Sequence, residues 1–191
     1  MGRENGLPVV TEMLVPNSSG IALIREGQTA EEIASLERSL AIWEESGGRL
    51  STPYCKSVLA EGMAQCGDLA GALDLIDECI AQIERPGWEE RWNYAEILRI
   101  KGGLLALTGD LEAAERAYIA SLDWARQQQA KSWELRTATS YARLMREQGR
   151  GKEACELLAP VYGWFTEGFA TKDLKDAKAL LEELETSGAP A

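Results

Sequence analysis

The stretch Gly102-Gly103-Leu104-Leu105-Ala106-Leu107-Thr108-Gly109-Asp110-Leu111-Glu112-Ala113-Ala114 decides the fold. It reads as the end of one helix, a glycine turn and the start of the next. Gly109 lies 42 residues after Gly67 and 40 before Gly149, and Gly67 lies 40 after Gly27. A polar residue follows each glycine: Gln28, Asp68, Asp110 and Arg150. Seven residues upstream stands a small residue: Gly20, Ala60, Gly102 or Ala142. Four upstream stands an apolar one without a branched Cβ: Leu23, Met63, Leu105 or Met145. Five downstream stand Ala72, Ala114 and Ala154, with Glu32 in the first copy. A period of about 40 residues marks stacked supersecondary units.

The physics of the pattern is simple. Glycine ends a helix because it enters the left-handed conformation without a Cβ penalty. The next helix then runs back antiparallel. Small residues on both sides of the turn let the two backbones approach, and apolar residues at helical spacing fill the contact. A single pair cannot bury its apolar face alone, so pairs stack. Helices are expected over 29–46, 52–66, 69–85, 88–108, 111–128, 132–148, 151–166 and 172–186, with a shorter one near 18–26. Thr29 and Glu32 have capping-box spacing, Thr52 precedes Pro53 as an N-cap would, and Asp68, Asp110 and Ser132 are further expected N-caps. Pro86-Gly87 breaks one pair from the next. No alternating β-branched run indicates a strand. Residues 1–17, with Pro8 and Pro16, form a poorly defined N-terminal segment. Repeats are expected over 18–171, a polar C-terminal capping helix over 172–186, and a frayed tail over 187–191.

In this register of small, apolar, glycine and alanine positions, residues 18–166 resemble the tetratricopeptide repeat, with a period longer than its usual ~34 residues. The resemblance implies an all-α, right-handed solenoid of antiparallel helix pairs. Three stretches carry a second resemblance: 96–110, ending Leu107-Thr108-Gly109-Asp110; 130–136, Ala130-Lys131-Ser132-Trp133-Glu134-Leu135-Arg136; and 158–169, Leu158-Ala159-Pro160-Val161-Tyr162-Gly163-Trp164-Phe165-Thr166-Glu167-Gly168-Phe169. They are similar to the C-terminal repeat region of bacterial signalling proteins that carry an ATPase core and often an adenylate or guanylate cyclase domain. That likeness, over roughly 36–186, implies a sensor or scaffold region. It does not imply cyclase or ATPase activity.

Charge and composition narrow the function. The net charge of −11 argues against a nucleic-acid partner, which needs clustered Lys and Arg. No apolar run approaches the roughly 18 residues of a membrane span, and the first residues lack a secretory signal pattern, so a cytoplasmic protein is expected. The chain has no histidine, and its cysteines, Cys55, Cys66, Cys79 and Cys155, include no C-x-x-C pair. No zinc site or other cofactor is therefore expected, and the four thiols read as small buried apolar groups. Without histidine the usual Ser or Cys triads cannot form. The glycines of 102–109 lack the Gly-Lys-Ser/Thr ending of a phosphate loop. With 31 acidic residues, paired carboxylates are a solvated face before they are a catalytic pair. A non-catalytic protein is expected.

The tetratricopeptide resemblance implies that the first helix of each pair lines a concave groove. The repeat register places Tyr54, Ser57, Glu61 and Gln65 there, then Glu96, Arg99 and Gly103, then Arg136, Thr139, Arg143 and Arg146. Arg136, Arg143 and Arg146 are seven and three apart and share a helix face. Such a row is either a solvated face with intrahelical pairs, Arg143 with Glu147 for example, or a site for carboxylates or phosphates. Six tryptophans either pack between repeats or anchor a partner. Trp88 and Trp92, four apart, would share a helix face, and Trp133 is the leading anchor candidate. The expected function is a scaffold binding a protein or peptide partner, an acidic one where the arginines take part. A small-ligand sensor of a signalling enzyme is the alternative. Self-association into a homo-oligomer through an exposed end of the stack is a third reading.

Overall fold

A computed structural model of the chain describes residues 30–47 and 49–187. The readings made for residues 1–17, the short helix near 18–26, the Thr29 capping box and the tail from Gly188 lie outside them. Eight helices and no strand occur among the described residues. They are α1 (Ala30–Glu45), α2 (Thr52–Gln65), α3 (Leu69–Glu84), α4 (Tyr94–Thr108), α5 (Leu111–Gln127), α6 (Lys131–Glu147), α7 (Gly151–Tyr162) and α8 (Lys172–Ser187). The chain forms two compact units, one ending at Asn93 and one beginning at Tyr94.

In the first unit α2 packs on α3, and α1 on α2. Leu36 and Leu40 of α1 meet Cys55, Val58 and Leu59 of α2 in a buried cluster. Helix α3 buries Ala72, Ile76, Cys79 and Ile83, a stripe at helical period. The α2–α3 turn shows why the repeat glycine is there. Gly67 has φ +95°. This brings the Asp68 N–H onto the Met63 carbonyl at 3.0 Å, closing α2. The Asp68 carboxylate then accepts from the Gly71 N–H at 2.9 Å and caps α3.

The second unit repeats the device. Asp110 caps α5 by accepting from the Ala113 N–H at 3.0 Å. The turn at Gly149 places the Arg150 N–H on the Met145 carbonyl at 2.8 Å. Helices α4 and α5 form one pair and α6 and α7 the next, while α4, α6 and α8 touch in succession. One core runs from Ala114, Tyr118 and Leu122 through Leu135, Ala138 and Tyr141 to Leu158, Leu174, Ala177, Leu180 and Leu184. The small residues of the repeat, Ala60, Ala72, Ala114, Ala142 and Ala154, are fully buried. At Gly102 an added Cβ would meet the Tyr118 ring at 2.8 Å, so only glycine allows this approach of α4 and α5.

Several expectations need correction. Helix α4 begins at Tyr94 and not near 88, so Trp88 and Trp92 share no helix face. The Glu90 carboxylate instead accepts from the Ser51 N–H at 2.7 Å and from Trp92 Nε1 at 3.0 Å, and Trp88 Nε1 donates to the Glu90 carbonyl at 3.1 Å. These bonds hold the segment off a helical path. Helix α7 stops at Tyr162, two residues after Pro160, which supplies no N–H to the ladder. Ser51, in a left-handed conformation, and not Thr52, holds the cap position of α2. Ala130, and not Ser132, holds that of α6. Of the four thiols only Cys55 and Cys79 are buried; Cys66 is exposed and Cys155 half-buried.

Candidate functional site

The groove residues expected from the repeat register fall into both units. In the first, Tyr54 is half-buried and its ring lies 5.6 Å from that of Trp92. Ser57 is buried and donates to the Tyr54 carbonyl at 2.7 Å. Glu61 is half-buried and Gln65, one turn further on in α2, is exposed. Among these four, the structure shows no convergence of charge.

The second unit is different. Its first helices α4, α6 and α8 bring an ion-pair ladder together. Glu96, fully buried on α4, accepts from Arg99 Nε at 2.9 Å and from Arg99 Nη2 at 3.1 Å. Its Oε1 also accepts from Arg136 Nη1 of α6 at 2.8 Å. Arg136 Nε reaches Asp173 of α8 at 3.0 Å. Further along α6, Arg143 lies 3.8 Å from Asp176. Arg146 pairs with Glu183. Two guanidiniums surround the buried carboxylate, and a buried ion without such partners costs several kcal/mol. The structure thus joins Glu96, Arg99 and Arg136 directly, and pairs Arg143 and Arg146 with α8 further along α6. Thr139, by contrast, is buried and spends its hydroxyl on the Leu135 carbonyl at 2.8 Å. Gly103 sits on α4, where an added Cβ would stand 3.6 Å from the Tyr118 hydroxyl.

Trp133 lies beside the ladder, half-buried, with the Arg136 guanidinium carbon 5.4 Å from its ring centre. The geometry is that of a cation–π contact. Lys131, two residues earlier, sits 5.6 Å from the Trp164 ring centre. Trp164 and Phe169, in the segment between α7 and α8, are both exposed.

Sequence reading missed three parts of this surface. The sequence assigns the acids of α8 to a polar capping helix, and the structure sets Asp173, Asp176 and Glu183 against the arginines; a clue is that Tyr54, Glu96 and Arg136 occupy one repeat position and Asp173 falls 37 residues further on. Glu134 is a second buried carboxylate, bonded by Lys131 at 2.7 Å and Arg126 at 2.9 Å. Burial opposes its charge, yet these two hydrogen bonds outweigh burial and hold its pKa below the usual glutamate range. Beneath the ladder, Ser121 donates to the Ala95 carbonyl at 2.6 Å and lies 2.7 Å from the Thr137 hydroxyl, tying α4, α5 and α6. Nothing in local spacing announces that chain.

Chemically the surface offers fixed charges and aromatic rings. Among the described residues no group of three or more Cys, Asp or Glu is placed to hold a metal. Burial pushes the Cys55 thiol up to about 11 and the Cys79 thiol up to about 12, so neither is a thiolate near neutrality. No helix among the described residues is long and apolar enough to cross a membrane.

The geometry agrees with what comparison finds. A tetratricopeptide repeat family model matches residues 53–78 and 135–160. The first match covers most of α2 and α3, the second most of α6 and α7. Two crystal structures of a Podosopora anserina protein, described as putative kinesin light chain nearly identical TPR-like repeats, are similar in fold. One, of a point variant, gives a TM-score of 0.62 at 16% identity, covering 91% of this chain and 84% of that one. The other gives 0.60 at 16% identity, covering 91% and 85%. At that identity the likeness is one of fold. No curated protein matches the sequence. The chain is a tetratricopeptide-like helical-repeat protein, an all-α fold of the helix-pair solenoid type. Such repeats in general mediate protein–protein interaction, and the fold is typically non-catalytic.

Proposed function

We propose that this protein is a non-catalytic interaction module, and that the face of α4, α6 and α8 binds an acidic peptide or an acidic surface of a partner protein. The observation that carries this reading is the row of Arg136, Arg143 and Arg146 on one face of α6, with Arg143 and Arg146 still reaching solvent. Guanidinium groups suit carboxylates through paired hydrogen bonds, and Trp133 beside Arg136 adds an aromatic contact. Arg99 and Arg136 have a different task, because they neutralise the buried Glu96. Specific contacts therefore fall to Arg143, Arg146 and Trp133.

The test is capture of interacting proteins from the source cell by wild type and by an Arg143→Gln/Arg146→Gln variant, with circular dichroism confirming the helices. A partner held by wild type and lost by the variant supports the site. Identical captures remove it.

A regulatory region of a bacterial signalling protein is a second reading, supported by the stretches 96–110, 130–136 and 158–169 and by the exposure of Trp164 and Phe169 within the last of them. A small ligand held there would raise the unfolding midpoint in a thermal-shift screen. A screen of nucleotides and common metabolites without any shift counts against it.

A further inference from the structure

The acids that face the arginine row belong to the protein's own helix α8. Their accessibility differs along the row. Arg136 is 18% exposed and shared between Glu96 and Asp173, so it is committed to the fold. The outer pairs face water: Arg143 is 45% exposed and Asp176 36%, and Arg146 is 37% exposed and Glu183 57%. At 3.8 Å, Arg143 and Asp176 attract each other without a hydrogen bond between them, and Asp176 has its own partner in Lys172 at 2.6 Å. Helix α8 is meanwhile fixed by Leu174, Ala177, Leu180 and Leu184, all buried in the core. Its carboxylates can swing off the arginines while the helix stays in place.

We infer that Asp176 and Glu183 are built-in competitors for the partner's carboxylates at Arg143 and Arg146, so that the protein carries an autoinhibitory contact on its own binding face. The inference rests on the acidic-partner reading given above. An arriving carboxylate must displace an intramolecular one that is always present, which lowers apparent affinity and selects partners able to engage both arginines at once. Exposed ion pairs of this kind are weak, which is what an exchangeable contact requires. A partner needs only to match them and add its own contacts.

The test uses a fluorescein-labelled hexaglutamate peptide, the full chain, and fluorescence anisotropy at low salt. Asp176→Asn/Glu183→Gln removes the competitors and keeps their shape. Glu182→Gln/Glu185→Gln removes the same charge from positions that the helical period turns away from the arginine row. The expected result is that the first variant binds roughly three- to tenfold more tightly than wild type while the second changes little. Equal gains in both variants, or none in either, overturn the competitor role; the acidic-partner reading then stands if Arg143→Gln/Arg146→Gln still weakens binding. No binding by any of these proteins, the competitor-free variant included, overturns both.

Discussion

Arg136 and Glu96, forty residues apart in sequence, are joined at 2.8 Å across two successive first helices, with the carboxylate fully buried. The pair fixes the lateral register of α6 on α4. It also divides the arginines by task. Those bound to Glu96 are structural, while those beyond it retain solvent contact.

That division has a direct consequence. Arg136→Ala removes one of the two guanidiniums that bond the buried Glu96 carboxylate, and breaking a buried pair costs about 3–5 kcal/mol. Urea unfolding followed by circular dichroism should show a loss near the lower end of that range. Arg143→Ala, whose pair is exposed and long, should fall within about 0.5 kcal/mol of wild type. Equal losses at the two sites would falsify the division. For the same reason a charge-reversed variant that includes Arg99 or Arg136 tests folding before it tests binding.

Gly102 and Gly103 are neighbours with opposite expected responses. At Gly102 a Cβ would press on the Tyr118 ring, which is itself buried and stacked 5.5 Å from Tyr141. Gly102→Ala should therefore destabilise by about 1–3 kcal/mol in spite of alanine's better helix propensity. At Gly103 the nearest atom would stand at an ordinary 3.6 Å. Gly103→Ala should stabilise by about 0.5–1 kcal/mol. Thermal melts of the two variants moving the same way would contradict this account of the close approach.

The contrast between those glycines bears on what the sequence discloses. The helix-pair turns were legible because their cause is local: Gly67 and Gly149 adopt positive φ, and Asp68 and Asp110 cap the helices after their turns. Gln129 makes the same kind of turn at φ +55°, with the Ala130 N–H on the Ala125 carbonyl at 2.9 Å, and has no glycine to announce it. The start of α4 is not legible locally, because Trp88 and Trp92 mimic helical spacing, whereas the bond that opposes a helix comes from Ser51, 39 residues before Glu90. The arginine row was legible from its seven-and-three spacing. Its partners on α8 were not, because the opposing residues lie 33 to 37 positions on and depend on how one helix settles beside another.

Glu134 gives the fold an acid-sensitive contact. Burial works against its charge, but the bonds from Lys131 and Arg126 win and keep its folded pKa below the unfolded value. A carboxyl of this kind adds stability above the unfolded pKa and loses it as pH falls through the folded one. Glu134→Gln should cost about 1–2 kcal/mol at pH 7, with the difference from wild type shrinking below about pH 4. Chemical denaturation at a series of pH values reads this directly, and a difference that stays constant into acid would show that the loss is one of packing and not of charge.

The cysteines provide a labelling test of the first unit. Cys55 and Cys79 are buried, with thiols pushed up to about 11 and about 12, so they present almost no thiolate at pH 8 and little access to a reagent. Cys66 follows α2 and is exposed, and Cys155 on α7 is half-buried. Iodoacetamide followed by mass spectrometry should therefore modify Cys66 first and Cys155 more slowly. Cys55 and Cys79 should react only as the first unit opens, at rates that rise with urea. Comparable rates at Cys79 and Cys66 in the absence of denaturant would mean that the α3 stripe of Ala72, Ile76, Cys79 and Ile83 is not packed in solution, and the helix-pair assignment of that unit would fall with it.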